Sequence, residues 1–257
     1  WDTSPEPDIS GSHTVEGGGP GFFESSFTGL APNTLYYIRT YASNNEGTSY
    51  GNEMSFNSAI FSPGEGVTDV DNNNYSTVII GYQEWLAENL NVTHYRNGDP
   101  IPNVTDSIEW RNLTTGAFCW YDNDEITYSN TYGALYNWYS VIDPRGLCPS
   151  GWHVPSDSDW NELITNYLGS LHIAGFKMKS TSGWNNNANG NNLSGFAGLP
   201  GGMRYYHPYY LSFNNLGIAT GWWSSTEQDI STAKYRYLAY PVSNSKKSGY
   251  SVRCIKD

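Results

Sequence analysis

Helical period is confined to two stretches in the middle of this 257-residue chain, and the rest runs as short aromatic and β-branched segments cut by Gly, Asn and Pro. That pattern predicts an α+β protein in which two short helices accompany mostly antiparallel strands. The clearer helix starts at Ser156-Asp157-Ser158-Asp159. This is a capping-box pattern, in which the Ser156 side chain accepts from the backbone and Asp159 answers three residues later. Trp160, Leu163, Ile164, Tyr167 and Leu168 then form one apolar stripe, and Gly169 stops it. Asp157 and Asp159 also favour the positive helix start, so these carboxylates have a structural duty. The other candidate covers 132–141, with Leu135, Trp138, Tyr139 and Ile142 at helical spacing. Beyond Gly169, residues 184–195 read as an Asn- and Gly-rich loop, followed by short aromatic strands at 202–206, 221–225, 235–240 and 250–255.

The N-terminal part reads as strands alone. Residues 34–41 put Tyr36, Ile38 and Thr40 on one face and Tyr37, Arg39 and Tyr41 on the other. Asn44-Asn45-Glu46-Gly47 supplies a turn, and 48–56 returns as a strand. The run 30–42, with Gly51-Asn52-Glu53-Met54-Ser55-Phe56 after it, resembles the late strands of fibronectin type III-like modules of bacterial surface proteins. Trp1-Asp2-Thr3-Ser4-Pro5 looks like a middle strand of such a module. The resemblance covers its second half only and implies an incomplete sandwich with open edges. Either upstream sequence is missing, or a strand from another subunit completes the module by strand addition. The chain opens at Trp1 without Met, as expected of a trimmed fragment with its export signal upstream. Gly47-Thr48-Ser49-Tyr50-Gly51 matches the hydrolase elbow G-x-S-x-G, but a strand pattern follows where that motif needs a helix, so Ser49 is not read as a nucleophile. Gly17-Gly18-Gly19-Pro20-Gly21 likewise reads as a loop and not as a phosphate cradle.

Composition narrows the partners. Charged residues make up 15% and aromatics 16%, with 21 Tyr and 10 Trp, which suits an extracellular binding module better than an intracellular protein. A net charge of -12 repels a phosphate backbone, so no nucleic-acid partner is expected. No apolar run approaches the length of a membrane span. The five His are scattered, and no Cys/His spacing fits a metal, so no metal, cofactor or catalytic residue is assigned. The odd cysteine count allows one disulfide and one spare thiol. Cys148 with Cys254 is the favoured pair, against an alternative of three buried reduced thiols. Cys119, in an aromatic run, reads as buried.

Residues 59–66 carry Pro and Gly at linker density, which divides the chain into a module over 1–58, a linker over 59–66 and a domain over 67–257. The domain opens with a hairpin around Asp71-Asn72-Asn73-Asn74. Asp69, Asp71 and Asn73 begin like a calcium loop, but Asn74 and Ile80 stand where that loop needs Gly and an acid.

Seven motifs then follow in order. They are Gln83-Glu84-Trp85-Leu86-Ala87-Glu88-Asn89-Leu90, Arg96-Asn97-Gly98-Asp99-Pro100-Ile101-Pro102, Tyr132-Gly133-Ala134-Leu135-Tyr136-Asn137-Trp138-Tyr139, Cys148-Pro149-Ser150-Gly151-Trp152-His153-Val154-Pro155, Leu199-Pro200-Gly201-Gly202, Trp222-Trp223-Ser224-Ser225-Thr226 and Ser251-Val252-Arg253-Cys254. Together they resemble the Fibrobacter succinogenes major paralogous (FISUMP) domain over about 67–257. The resemblance implies secreted proteins or lipoproteins of Bacteroidetes-like bacteria. A broader likeness to the C-type lectin-like fold implies a disulfide between the first helical region and the last strand, in agreement with Cys148–Cys254. The triplets that hold calcium and sugar in C-type lectins are absent, and so is the reactive cysteine pair of formylglycine-generating relatives.

The resulting expectation is a non-catalytic recognition or adhesion protein outside the cell or on its surface, binding glycans or proteins. The ligand-contact candidates are Tyr205, Tyr206, Tyr209 and Tyr210, in the densest aromatic patch, and Trp184 beside an Asn run. Trp222-Trp223 is read as core. The alternative is a structural subunit of an extracellular filament or assembly, self-associating through the incomplete first module.

Overall fold

The structure is a computed structural model. It describes residues 1–257 except Pro20, Phe27, Thr28, Pro32, Ala59 and Pro208, and except the side chains of Tyr210 and Leu211. The corner at 29–34 and the loop at 17–21 therefore lie partly outside the described residues. The chain separates into two compact units, Trp1–Ile60 and Phe61–Asp257.

In the first unit the run expected as a single strand over 34–41 is broken. It gives β1 (Leu35–Ile38) and β2 (Tyr41–Asn44), and the return gives β3 (Gly47–Tyr50) and β4 (Met54–Asn57). The β2–β3 hairpin turns at Asn44–Gly47, where Asn44 Oδ1 accepts from the N–H groups of Glu46 and Gly47. β1 pairs with β4, and Asp2 makes one antiparallel bridge to Tyr37. Ser49 sits in β3 opposite Ala42, with no helix after it, so the elbow geometry is absent there. A groove of about 460 Å³ in this unit is lined by Phe23, Arg39, Tyr41 and Tyr50 among others.

The second unit is α+β, with short helices and mostly antiparallel strands in small sheets. Residues 61–63, read as linker from Pro and Gly density, form β5 (Phe61–Pro63). The hairpin around Asp71 follows as β6 (Val67–Thr68) and β7 (Asn74–Tyr75), then come β8 (Thr77–Ile80) and β9 (Gln83–Leu86). Asp69 holds the turn by accepting from Asp71 N, Asn73 N and the Tyr75 hydroxyl, as a hairpin and not a calcium loop requires.

The middle of the domain is built from α1 (Ser107–Asn112), β10 (Phe118–Cys119), α2 (Glu125–Tyr132), β11 (Leu135–Tyr136) and α3 (Trp138–Val141). The expected helix over 132–141 is therefore wrong in its first half. Gly133, at φ 69°, ends α2, and Leu135 and Tyr136 extend to pair with Cys119 and Phe118. Asn137 then caps the single turn of α3. Tertiary pairing overrode an accidental helical spacing.

β12 (Trp152–His153) leads into α4 (Asp157–Asn161), which continues as a π-helical stretch, Glu162–Leu168. The Ser156–Asp159 capping box forms, and Gly169 closes the helix at φ 101°. α5 (Leu171–Met178) follows. The remaining strands are β13 (Gly201–His207), β14 (Tyr210–Leu216), β15 (Gly221–Glu227), β16 (Thr232–Tyr237), β17 (Tyr240–Ser245) and β18 (Ile255–Lys256). One sheet has the order β12-β18-β9-β8-β5, β15-β16-β17 form another, and β13 pairs with β14. Cys148 and Cys254 form a disulfide across 106 residues of chain.

The core is aromatic. Trp85, Trp110, Trp160, Trp222 and Trp223 are fully buried. Trp85, Trp160, Phe196 and Trp222 pack ring on ring with centroids 4.7–6.1 Å apart. Offset and edge-on ring pairs of this kind add to the area they bury.

Candidate recognition face

Three arginines sit inside this core, and each is answered by oxygens. Arg253 donates to the carbonyls of Leu86 and Phe196 and to Asn89 Oδ1. Burial pulls its pKa down to about 9, so it stays protonated at neutral pH. Arg204 donates to the Val104 and Thr105 carbonyls and lies between the rings of Trp110 and Phe213. Arg236, on β16, donates to Asn161 Oδ1 at 2.9 Å and to the Asp157 carboxylate, which also receives Lys234 Nζ at 2.9 Å. Asp157 thus does more than favour the helix start: it fastens the charged face of β16 to α4.

That attachment fixes which side of the β16–β17 hairpin turns away. Lys234 and Arg236 point to α4, so Ala233, Tyr235 and Tyr237 take the other face. The register Ala233↔Asn244, Tyr235↔Val242 and Tyr237↔Tyr240 adds their partners to that face. Tyr237, Tyr240 and Val242 are exposed, Tyr235 is half-buried and Ala233 is buried, so the face runs from solvent into the core. Tyr235 stacks on buried Tyr250 with centroids 4.2 Å apart and planes 16° apart. Asn244 Nδ2 donates to the Tyr250 hydroxyl at 2.6 Å. Tyr205, on β13, packs against the same core cluster. Burial raises the pKa of Tyr235; a hydrogen bond with Tyr250 opposes this in part, and the phenols of Tyr237 and Tyr205 add to it.

The residues expected to contact ligand are distributed differently. Tyr205 and Tyr206 are half-buried on opposite faces of β13. Tyr205 joins the phenol cluster, while Tyr206 lies 5.8 Å from Lys247 Nζ. Tyr209, at the tip of the β13–β14 hairpin, is 86% exposed, with the His207 ring 5.6 Å away. The side chain of Tyr210 lies outside the described residues. Trp184 is a correction: it is 5% exposed, its indole N–H donates to Ser180 Oγ and to the Gly198 carbonyl, and Lys179 Nζ covers its ring at 4.0 Å. The Asn run beside it forms a short 3-10 turn while the ring goes inward. Trp222 and Trp223 are core, as read from the sequence.

Cys119, Asp124 and His153 have structural surroundings. Cys119 is buried and unpaired, and burial pushes its thiol up to about 11, with Arg204 nearby opposing the shift. Asp124 caps α2 by accepting from Thr127 N. His153 is 45% exposed and pairs with Asp257 at 2.7 Å and Asp159 at 3.6 Å. A separate cavity of about 250 Å³ lies beside the disulfide, lined by Asp69, Arg96, Leu147 and Ser150 among others. Among the described residues no three His, Cys, Asp or Glu side chains gather as a metal site, and no helix is long and apolar enough to cross a membrane.

Sequence reasoning missed Tyr235, Tyr237, Tyr240 and Asn244 as a group. The period-2 placement of Tyr235 and Tyr237 was visible. The hairpin that sets Tyr240 opposite Tyr237 was not, because the connecting Leu238-Ala239 has no turn signature. Leu238 takes φ 53°, a conformation expected of Gly, Asn or Asp.

Fold and face together define an aromatic-cored, disulfide-linked α+β domain that turns a set of tyrosines outward. The family model of the Fibrobacter succinogenes major domain matches residues 78–256, and the chain belongs to that family. The match begins within β8, so β5 to β7 stand upstream of it. Neither a curated protein nor a solved structure matches the chain.

Proposed function

We propose that the chain is a non-catalytic recognition module on the surface of a bacterial cell or in its surroundings, and that it binds glycans or proteins through the tyrosine face of its second unit. One observation carries the reading. Tyr205, Tyr235, Tyr237 and Tyr240 gather at the surface end of a stacked aromatic core, held from behind by the Asp157–Arg236 attachment. Tyrosines on a rigid sheet supply contact area and hydrogen-bonding hydroxyls at a low entropic cost of ordering. Asp69, Asp124, Asp157 and Asp159 are engaged in a turn, in caps and as an anchor, and this supports recognition over catalysis. The disulfide supports an oxidising location. A C-type lectin-like architecture for the second unit belongs to the same proposal. It is supported by the disulfide, which joins the segment before β12 to the chain entering β18.

The test is equilibrium retention of the purified chain on immobilised polysaccharides and proteins, with recovery and chemical analysis of whatever it retains. Saturable binding with the ligand recovered intact supports recognition. Turnover of the ligand, or no saturable binding on any surface, overturns it.

A further inference from the structure

We infer that the ligand of the tyrosine face is an uncharged, hydroxyl-rich polysaccharide chain lying over Tyr237, Tyr240 and Tyr235. This rests on the recognition reading above and makes it specific. The net charge of the chain is -12, yet the strand positions of this face (Ala233, Tyr235, Tyr237, Tyr240, Val242 and Asn244) carry no formal charge at neutral pH. The charged residues of β16, Lys234 and Arg236, are on the opposite side and paired with Asp157. An ionic ligand would lose its hydration there without meeting a counter-charge.

What the face offers is ring surface and phenol hydroxyls that both donate and accept, while the Asn244 amide is engaged by the Tyr250 hydroxyl and Ser245 N and holds the support in place. A sugar ring presents the complement: an apolar C–H face for the aromatic ring and equatorial hydroxyls for the phenols. The spacing fits a chain better than a single sugar. Side chains directly opposite across the hairpin stand about 5 Å apart, and those two residues along a strand about 6.6 Å apart. Tyr237, Tyr240 and Tyr235 therefore repeat on the scale of consecutive sugar rings.

Native affinity electrophoresis of the full chain tests this in gels containing a soluble neutral β-glucan, a neutral galactomannan, polygalacturonate or gelatin. The expected result is retardation by a neutral polysaccharide and none by polygalacturonate. The double variant Y237A/Y240A should bind roughly tenfold more weakly, a loss of about 1.4 kcal/mol. Near-UV circular dichroism checks that the variant is folded. A second variant, Val242→Arg, sets a charge between the rings without removing any and should also weaken binding. Binding of a neutral polysaccharide that neither folded variant weakens overturns the assignment to this face. Retardation by polygalacturonate or gelatin alone overturns the ligand class and leaves recognition standing. No retardation by any of the four overturns the ligand class, and the broader retention assay then decides the recognition reading separately.

Discussion

Arg253 donates its Nε–H to Asn89 Oδ1 at 2.8 Å, although 164 residues separate the two. The same oxygen accepts the indole N–H of Trp222 at 2.9 Å, and Asn89 Nδ2 donates to the Tyr132 carbonyl and to Ser251 Oγ. Four of the seven sequence motifs meet at this one amide. They identify the domain because they build its interior, and they do not themselves form the exposed face. Asn89→Ala would strand two buried donors, one of them charged, and is expected to cost about 2–4 kcal/mol. Urea unfolding measures this, and a loss below about 1 kcal/mol would mean that the network contributes little.

The disulfide and the free thiol make a paired prediction. Replacing both Cys148 and Cys254 by Ser removes a link across 106 residues and should lower stability by about 4–5 kcal/mol in the chain-entropy picture. Cys119, buried with its thiol pushed up to about 11, should stay unmodified by iodoacetamide in the native protein and react only in denaturant. Intact-mass measurement under both conditions reads the second outcome directly.

Sequence disclosed those parts of the fold whose causes are local. The Ser156–Asp159 box and Gly169 bound their helix because capping involves neighbours along the chain. The spacing of Leu135 and Trp138 misled because Gly133 and Asn137 break the segment and Cys119 pairs with Leu135, a contact set by tertiary structure. The candidate face follows the same division. Tyr205 was legible as part of a dense aromatic patch. Tyr240 was not, because its place opposite Tyr237 depends on a turn at Leu238-Ala239 that no residue type announces. Trp184 looks exposed in sequence because its neighbours are polar, while its ring is covered by Lys179 at the end of α5 and its indole N–H is taken up by the Gly198 carbonyl, 14 residues on.

Acid should destabilise the protein in a definite window. In Asp143 the Arg145 side chain holds the carboxyl below its usual range. In Asp71 burial raises the pKa, but the Thr93 and His94 hydrogen bonds outweigh it. In Glu84 burial is likewise outweighed by Lys256 and Thr77. A carboxylate whose folded pKa is depressed adds stability that is present above its unfolded pKa and lost as pH falls through the folded value. Thermal midpoints should therefore hold from neutral pH down to about 4–4.5 and drop below that. A midpoint that rises on acidification below pH 4 would contradict these assignments.

The tyrosine cluster makes an alkaline prediction of opposite sign. Burial raises the phenols of Tyr136, Tyr235 and Tyr250, with neighbouring phenols adding to it at Tyr136 and Tyr250 and the Tyr250 hydrogen bond partly offsetting it at Tyr235. A group whose folded pKa is raised contributes stability that is full below its unfolded pKa and lost as pH rises towards the folded one. For tyrosine that loss begins near pH 10. Ultraviolet titration of the native protein should leave these phenols un-ionised until the fold is lost, so their ionisation should coincide with the collapse of the near-UV circular dichroism. In Tyr250→Phe, which removes one hydroxyl from beneath the face, the collapse should move to a different pH. If these phenols ionise smoothly while the dichroism stays native, they are not buried as the stacked Tyr235–Tyr250 pair requires, and the face would lose its rigid support.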